Sequence, residues 1–100
     1  MELEFDSRKN TQNIAKHGVS FDDLVNFEWT GSITTPDDRF DYREHRSVSY
    51  GMLNDRLHVL IWTMRNDKIR PISFRKANKR ERDFYEKKKK STESRQTTIH

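Results

Sequence analysis

The sequence of 100 residues contains no cysteine, only 3 glycines and 2 prolines, and 31% hydrophobic residues. Without cysteine the chain forms neither a disulfide framework nor a thiolate zinc site. The scattered glycines exclude a Gly-rich phosphate-binding loop, and the four histidines lack metal-binding spacing. No apolar run approaches the roughly 20 residues of a membrane span, and the amino terminus does not resemble a signal peptide. We therefore expect a cytoplasmic protein with no membrane contact, metal or cofactor.

Charge is abundant but unevenly distributed. Residues 1–50 carry 6 Lys and Arg against 10 Asp and Glu, whereas residues 51–100 carry 14 against 6. The two halves therefore have net charges of −4 and +8. A basic carboxyl half favours contact with phosphates, because neutralising them releases condensed counterions. The same charges could equally form a solvated basic surface.

The segment from Asn13 to Phe21 predicts two short helices that meet at Gly18. Asp6 or Ser7 can cap a first helix that ends near His17, and Gly18 can end it in the left-handed conformation. Lys16 and His17 would then lie in the last turn, where the helix dipole favours their charged forms.

Both helices are predicted to bury only a few apolar side chains. In the first helix, only Ile14 and Ala15 are obvious packing residues. Ser20 can cap a second helix that runs from Phe21 to about Phe27. That helix is predicted to bury Phe21, Leu24 and Val25, and Trp29-Thr30-Gly31 to end it.

The remaining chain alternates strand and turn signals. The predicted strands are Glu2–Asp6, a fragment at Ser32–Thr35, a run ending at Met52, an apolar run at Leu57–Met64, and Ile69–Arg75. Turns are predicted at residues 36–39, 54–55 and 66–67, and residues 78–81 form a capping box that opens a last helix. Leu57–Met64 is apolar at both parities, as expected of a central strand covered on both faces. Pro71 places its strand at an edge or a bulge.

These elements predict one α+β domain. Its sheet is mainly antiparallel, with two short helices after the first strand and one helix at the carboxyl end. We assign residues 1–86 to this domain. Residues 87–100 are a lysine-rich polar segment with one aliphatic residue, and we expect this tail to be frayed or disordered.

Several motifs occur in an order that extends from about Leu3 to Glu86. They are Phe5-Asp6, Lys9, Asn13, Lys16 to Phe21, Tyr42 to Arg46, Ile69 to Ala77, Glu81-Arg82 and Tyr85. Together they resemble the BrnT family, the ribonuclease toxins of type II toxin–antitoxin modules. The sequence departs from the family where Phe5 replaces a common Trp, Ser7 a Pro and Arg43 a Gly, and where Pro71 lies inside a strand motif.

The resemblance implies a RelE-like fold and a metal-independent endoribonuclease that cleaves RNA and inhibits translation. It also implies neutralisation by a cognate BrnA-like antitoxin, and contact with operator DNA only through the toxin–antitoxin complex. The competing hypothesis is a non-catalytic module, a degenerate toxin that retains only RNA or antitoxin binding. A DNA-binding regulator is a weaker alternative, since the chain has no recognition-helix signature.

Arginine suits the chemistry that such a ribonuclease requires. A guanidinium stays charged and its fork matches phosphate oxygens as negative charge develops during cleavage. Arg65, Arg75 and Arg82 match family positions and could converge at one end of the sheet. However, a two-residue turn at residues 66–67 places Arg65 and Arg75 on opposite faces, unless a bulge at Pro71 restores a shared face.

The candidates for proton transfer are His17, Glu44, His45, His58 and Tyr85. Histidine titrates near neutrality, so it needs little tuning to exchange a proton. We select His17 and Glu44, with helix capping and arginine pairing as their structural alternatives. His58 is expected to be a satisfied core residue and Tyr85 can pack against the sheet.

Cations and aromatic side chains supply the expected RNA contacts. The predicted RNA-binding residues are Lys16, Arg46, Arg70, Lys76 and Tyr85. Aromatic rings stack on unpaired bases, which makes Trp29, Tyr42 and Trp62 further candidates, although Trp62 is better explained as core.

Overall fold

The computed structural model describes residues 2–39 and 43–98, with side chains through Ser91. Tyr42 and His100 lie outside the described residues. The elements are helix α1 (Ser7–His17), a 3₁₀ helix (Phe21–Asn26), strands β1 (Glu28–Pro36), β2 (Ser47–Leu53), β3 (Arg56–Arg65) and β4 (Lys68–Lys76), and helix α2 (Lys79–Thr98).

The four strands form one antiparallel sheet in the order β1-β2-β3-β4. Two-residue turns connect the last three strands, and Asn54, Asp55, Asn66 and Asp67 all have positive φ there, as a type I′ hairpin requires. Most of β3 is buried between its neighbours. The structure therefore confirms an α+β fold with a mainly antiparallel sheet and Leu57–Met64 as its central strand.

Helix α1 begins and ends where the sequence predicts, but it packs differently. The Asp6 carboxylate accepts a hydrogen bond from the backbone N–H of Lys9, and Gly18 adopts φ 73° at the carboxyl end. Ile14 and Ala15 are exposed rather than packed, and the buried residue of the helix is Asn13. An apolar pattern could not predict this, because Asn13 is held by polar contacts.

The second helix is a 3₁₀ helix, and this changes which side chains it buries. Because a 3₁₀ helix has three residues per turn, positions three apart share one face. Phe21, Leu24 and Phe27 are accordingly buried, whereas Val25 is 78% exposed, so its predicted burial was wrong. The Ser20 hydroxyl caps the helix by accepting the backbone N–H of Asp22.

Trp29-Thr30-Gly31 does not end this helix but lies inside β1. Strand β1 starts at Glu28, and its pairing with β2 shifts register between Glu28 and Ile33. Gly31 has φ 84° within this irregular stretch, a conformation that glycine adopts without steric cost.

The predicted first strand, Glu2–Asp6, is reduced to one parallel bridge. Leu3 pairs with Ile69 through two backbone bonds of 2.8 and 2.9 Å. The next bond of a parallel ladder would need an N–H from Pro71, which proline lacks. The ladder therefore stops after one bridge, and the strand prediction was wrong in extent.

Pro71 also lies beside a bulge in edge strand β4. Trp62 pairs with Pro71 and Ile61 pairs with Ser73, so Ile72 has no partner on β3. The extra residue reverses the face on which every later side chain of β4 lies. This confirms the expectation that Pro71 marks an edge or a bulge.

The two faces of the sheet carry different helices. Core residues from α1, the 3₁₀ helix and their connection cover one face, where Leu60 and Phe74 pack against Phe21 and Val19. The other face carries Leu57 and Val59, on which Tyr85 of α2 packs. Helix α2 crosses only the Leu57 end, so the Arg65 end of this second face is open to the cavities described below.

The predicted capping box opens α2. The Asn78 side chain accepts the backbone N–H of Glu81, and the Glu81 carboxylate accepts the backbone N–H of Asn78, both at 2.9 Å. The helix then continues to Thr98. Lysine, glutamate and arginine are good helix formers, and no glycine or proline interrupts them, so the backbone is helical where the sequence predicted a frayed tail. The division into a domain (1–86) and a tail (87–100) stays a prediction.

Among the described helices, none combines the length and apolar character needed to cross a membrane.

Candidate nucleic-acid and catalytic site

A cavity of about 210 Å³ lies where β3 and β4 approach the start of α1. Its charged lining consists of four cations and two carboxylates. The cations are Lys9, Arg46, Arg65 and Arg70, and the carboxylates are Asp6 and Glu44. We call this the Arg65 cavity. Such a lining attracts phosphate groups, since both the net charge and the donor-only side chains favour oxyanions.

Arg65 is the least engaged of the cavity's arginines. It ends β3 with its side chain exposed, and within the described part of the chain it forms no ion pair or side-chain hydrogen bond. By contrast, Arg46 Nε donates to Glu44 Oε1 at 3.2 Å, and Arg70 lies 4.0 Å from Glu4. The guanidinium of Arg65 is therefore available for a ligand.

The segment that carries Glu44 and Arg46 is tied to the sheet. The Thr63 hydroxyl on β3 donates to the backbone carbonyl of His45 at 2.6 Å, and the Asp37 N–H donates to the Arg46 carbonyl. These bonds hold Glu44 at the cavity wall. The exposed side chain of His45 does not line this cavity.

A second cavity of about 190 Å³ adjoins the first. Lys9 and Ile72 line both, and Lys16 and His17 of α1 line the second, which we call the His17 cavity. The bulged residue, Ile72, thus lies where the two cavities meet. The structure therefore brings two candidates for proton transfer, Glu44 and His17, to adjoining cavities.

The pKa of His17 is lowered from 6.5, mainly by partial desolvation and further by the positive charges of Lys16 and Arg75. Partial burial and the two nearby cations thus disfavour the charged imidazole, which is opposite to the effect expected of the helix end. At pH 7 these surroundings favour the neutral form of His17, which can accept a proton.

Arg75 occupies a different place, a groove of about 300 Å³ between α2 and the open part of the sheet. Two of its guanidinium nitrogens donate to the two carboxylate oxygens of Glu81, each at 2.8 Å. These hydrogen bonds raise the pKa of Arg75 and lower that of Glu81. Arg75 thus anchors the first turn of α2 to β4.

The predicted convergence of Arg65, Arg75 and Arg82 does not occur. The bulge does place Arg65 and Arg75 on one face, because Arg75 pairs with Val59 and Arg65 with Lys68. Val59 and Arg65 nevertheless lie six residues apart, or about 20 Å at about 3.3 Å per residue. Arg82 lies on α2, where its Nη1 donates to the carbonyl of Ala77 at 3.2 Å.

The other predicted site residues are dispersed. Lys76 is exposed at the end of β4, far along the strand from Arg65. The Tyr85 ring packs on Leu57 and Val59, and its hydroxyl donates to the Gly31 carbonyl at 3.2 Å. Roles for Lys76, Tyr85, Arg75 and Arg82 in RNA binding or chemistry stay predictions.

His58 is buried, as expected of a core residue. Its Nδ1 lies 2.9 Å from the Arg56 carbonyl, and its ring packs on Phe74. Trp62 is half-buried and donates from Nε1 to the Ser49 hydroxyl at 2.8 Å. Both side chains therefore serve packing, which supports the structural interpretation of each.

Sequence reasoning missed Lys9 as a site residue. It belongs to the motifs on which the family resemblance rests, and it lies on the first turn of α1, where its side chain lines both cavities. The pattern of residues along α1 could not identify Lys9, because its position beside both cavities depends on where β4 bulges.

Among the residues described, no group of three or more His, Cys, Asp or Glu side chains lies close enough to hold a metal ion.

Comparison with known proteins identifies the family. A family model described as "Ribonuclease toxin, BrnT, of type II toxin-antitoxin system" matches residues 5–81, which include α1, the whole sheet and the start of α2. A search of curated proteins finds no match. The matched range contains every residue named for the Arg65 and His17 cavities. The chain belongs to the BrnT family of ribonuclease toxins, which act in type II toxin–antitoxin systems together with an antitoxin partner.

Proposed function

We propose that this protein is an endoribonuclease that cleaves RNA at the Arg65 cavity without a metal ion and so inhibits translation. The observation that carries the proposal is an unpaired arginine in a cation-lined cavity inside the matched range of a ribonuclease family. With four cations and two carboxylates, the cavity lining has a net positive charge that disfavours divalent metals and attracts the phosphodiester.

In the proposed reaction the ribose 2′-oxygen attacks the adjacent phosphorus and the bond to the 5′-oxygen breaks. The products are a 2′,3′-cyclic phosphate and a 5′-hydroxyl. One group takes the proton of the 2′-hydroxyl, and another delivers a proton to the leaving oxygen. Arg65 stabilises the charge that develops on the nonbridging oxygens.

Glu44 is the proposed base because it lines the same cavity as Arg65. Its hydrogen bond from Arg46 orients the carboxylate. His17, neutral at pH 7 in the adjoining cavity, is the alternative. The pH dependence of kcat separates them: Glu44→Gln removes the acidic limb if Glu44 is the base, and His17→Gln removes it if His17 is.

The test is cleavage of a labelled 20-nucleotide RNA in EDTA by wild type, Arg65→Ala and Arg56→Ala. Arg56 is an exposed arginine at the opposite end of β3 and serves as the matched control. We expect Arg65→Ala to lower kcat by about 10²- to 10³-fold, as for loss of one donor to a transition-state oxyanion. Arg56→Ala should stay within about twofold of wild type.

Equal rates for wild type and Arg65→Ala would reject the assigned site. Folded wild type that leaves RNA intact, even with ribosomes added, would reject the activity. It would favour the alternative of a module that only binds RNA or antitoxin.

For the partner, we propose a BrnA-like antitoxin that covers the cationic cavities and carries the complex to operator DNA. Cations at the protein surface predict an association that weakens as salt rises. We also propose that the arrangement of sheet and helices is RelE-like.

A further inference from the structure

Helix α2 extends beyond the range that the family model matches, and its next segment is strongly basic. The match ends at Glu81, and four consecutive lysines, Lys87–Lys90, follow Glu86. The backbone positions of these four lysines span about 4.5 Å along the helix axis, because each residue rises by about 1.5 Å. This gives one positive charge per about 1.5 Å of axis, about twice the density of negative charge on a nucleic-acid strand, which carries one per about 3.4 Å.

The helix that carries these lysines is fixed to the sheet rather than loosely attached. Phe84 packs on Tyr50 with ring centroids 5.0 Å apart. Tyr85 Oη and Lys89 Nζ both donate to the Gly31 carbonyl, at 3.2 and 3.1 Å. The positively charged Lys89 also lies 5.8 Å from the centre of the Tyr85 ring. The basic segment therefore has a defined position beside β1.

That position is on the side of the molecule away from the Arg65 cavity. Gly31 on β1 lies beside the β2 residues that pair with Leu57 and Val59 of β3. Arg65 is the last residue of β3, at the other end of that strand. The separation along β3 is about 20 Å, which a stacked strand spans with about six nucleotides at 3.4 Å each. The groove that contains Arg75 and Arg80 lies on the same face between them.

We propose that Lys87–Lys90 form a second, sequence-independent RNA-binding site that captures substrates longer than about six nucleotides. The proposal rests on the ribonuclease function above for its ligand. Four consecutive lysines sweep about 300° around a helix, so they cannot form one shaped face. They can bind phosphates that approach from several directions, which suits capture of the RNA backbone and not recognition of bases. Shorter RNA reaches the Arg65 cavity without touching them.

The test compares wild type with a variant in which Lys87, Lys88, Lys89 and Lys90 are all glutamine. The matched control replaces four exposed or half-buried cations elsewhere, Arg8, Arg43, Arg56 and Lys68, by glutamine. Binding of a non-cleavable 2′-O-methyl 20-nucleotide RNA is measured between 50 and 200 mM salt. Lys89 is bonded to the Gly31 carbonyl and the other three lysines point in different directions, so we expect two or three phosphate contacts at once. Because each contact on a single strand contributes about 0.7 to the slope of log K against log salt, the lysine variant should lower that slope by about 1.5 to 2.

Length dependence supplies the second readout. For a 20-nucleotide RNA the lysine variant should raise KM at least tenfold with kcat unchanged, and the effect should disappear with a 4-nucleotide RNA. A variant with four arginines at these positions should retain the wild-type slope, because charge and not lysine itself is required. Circular dichroism verifies that α2 is intact in each variant.

Three results would overturn the inference: an unchanged slope, an equal loss in the control variant, or an equal KM effect on short and long RNA. An unchanged RNA slope with lost binding of a polyglutamate peptide would reassign the segment to an acidic protein partner. If wild type cleaves no RNA, the proposed activity fails, and the binding slope still decides whether the lysines capture RNA.

Discussion

The side chain of Asn13 pairs with the backbone of Phe74 as another strand would. Asn13 Nδ2 donates to the Phe74 carbonyl at 2.9 Å, and Asn13 Oδ1 accepts the Phe74 N–H at 3.1 Å. The same amide donates to the Val19 carbonyl at 2.8 Å. Asn13 thus supplies hydrogen-bond partners to the backbone of Phe74 on the outer edge of β4. It also holds the connection between α1 and the 3₁₀ helix against that strand through Val19.

We expect Asn13→Ala to lower the free energy of unfolding by about 3 kcal/mol, because it leaves buried backbone groups without partners. Urea unfolding at constant slope measures the loss. Gln12→Ala, at an exposed position of the same helix, is the control and should change stability by less than about 0.5 kcal/mol. A small effect of Asn13→Ala would mean that water replaces the amide.

Gly51 on β2 lies against the ring of Phe27. A Cβ atom at this position would be 2.5 Å from Phe27 Cζ, whereas a Cβ at Gly18 would meet nothing within 4 Å. Gly51→Ala should therefore cost about 2–3 kcal/mol through overpacking. Gly18→Ala should cost about 1 kcal/mol through its left-handed backbone alone. Thermal unfolding of both variants measures the difference, and equal shifts would contradict the packing argument.

The contact between Arg75 and Glu81 makes stability depend on pH in the acidic range. Hydrogen bonds from Arg75 lower the pKa of Glu81 from its ordinary value of 4.5. The folded state therefore gains stability above pH 4.5 that it loses as pH falls through the lower folded pKa. We expect Glu81→Gln to destabilise the protein by about 1 kcal/mol at pH 7, with the difference shrinking below pH 4.5. Glu86→Gln, at an exposed site of α2, is the control and should change stability at pH 7 by less than about 0.5 kcal/mol.

The pKa of His17 provides a direct test of the electrostatics near the cavities. Nuclear magnetic resonance titration should give a midpoint below 6.5, and Lys16→Gln should raise it by removing one nearby positive charge. Since the folded pKa is below the unfolded value, wild type should lose stability relative to His17→Gln as pH falls below 6.5. A midpoint above 6.5 would mean that the helix dipole dominates after all.

The sequence predicted the regular parts of the fold because they depend on local chemistry. Gly18, Ser20 and the capping box of Asn78 and Glu81 are local signals, and the structure confirms each. Burial of Asn13 and exposure of Val25 could not be predicted, because one depends on a distant edge strand and the other on the choice between two helix types.

The site was only partly predictable for a related reason. Arg65, Glu44, Arg46 and Arg70 do share a cavity, whereas Arg75 and Arg82 lie elsewhere. Sequence spacing indicates which face of a strand a residue occupies, but the distance between two arginines depends on pairing register.

The bulge at Ile72 determines which β3 residue each later side chain of β4 faces. If β4 continued from the Arg65–Lys68 pair without a bulge, Ile72 would pair with Ile61, Arg75 would fall opposite His58 in the core, and Phe74 would fall opposite Val59 on the other side of the sheet. Deleting Ile72 would instead remove the bulge and leave Ser73, Phe74 and Arg75 opposite the β3 residues that they already face. Side chains on one face of β4 therefore have even residue numbers before Ile72, as at Lys68 and Arg70, and odd residue numbers after it, as at Ser73 and Arg75.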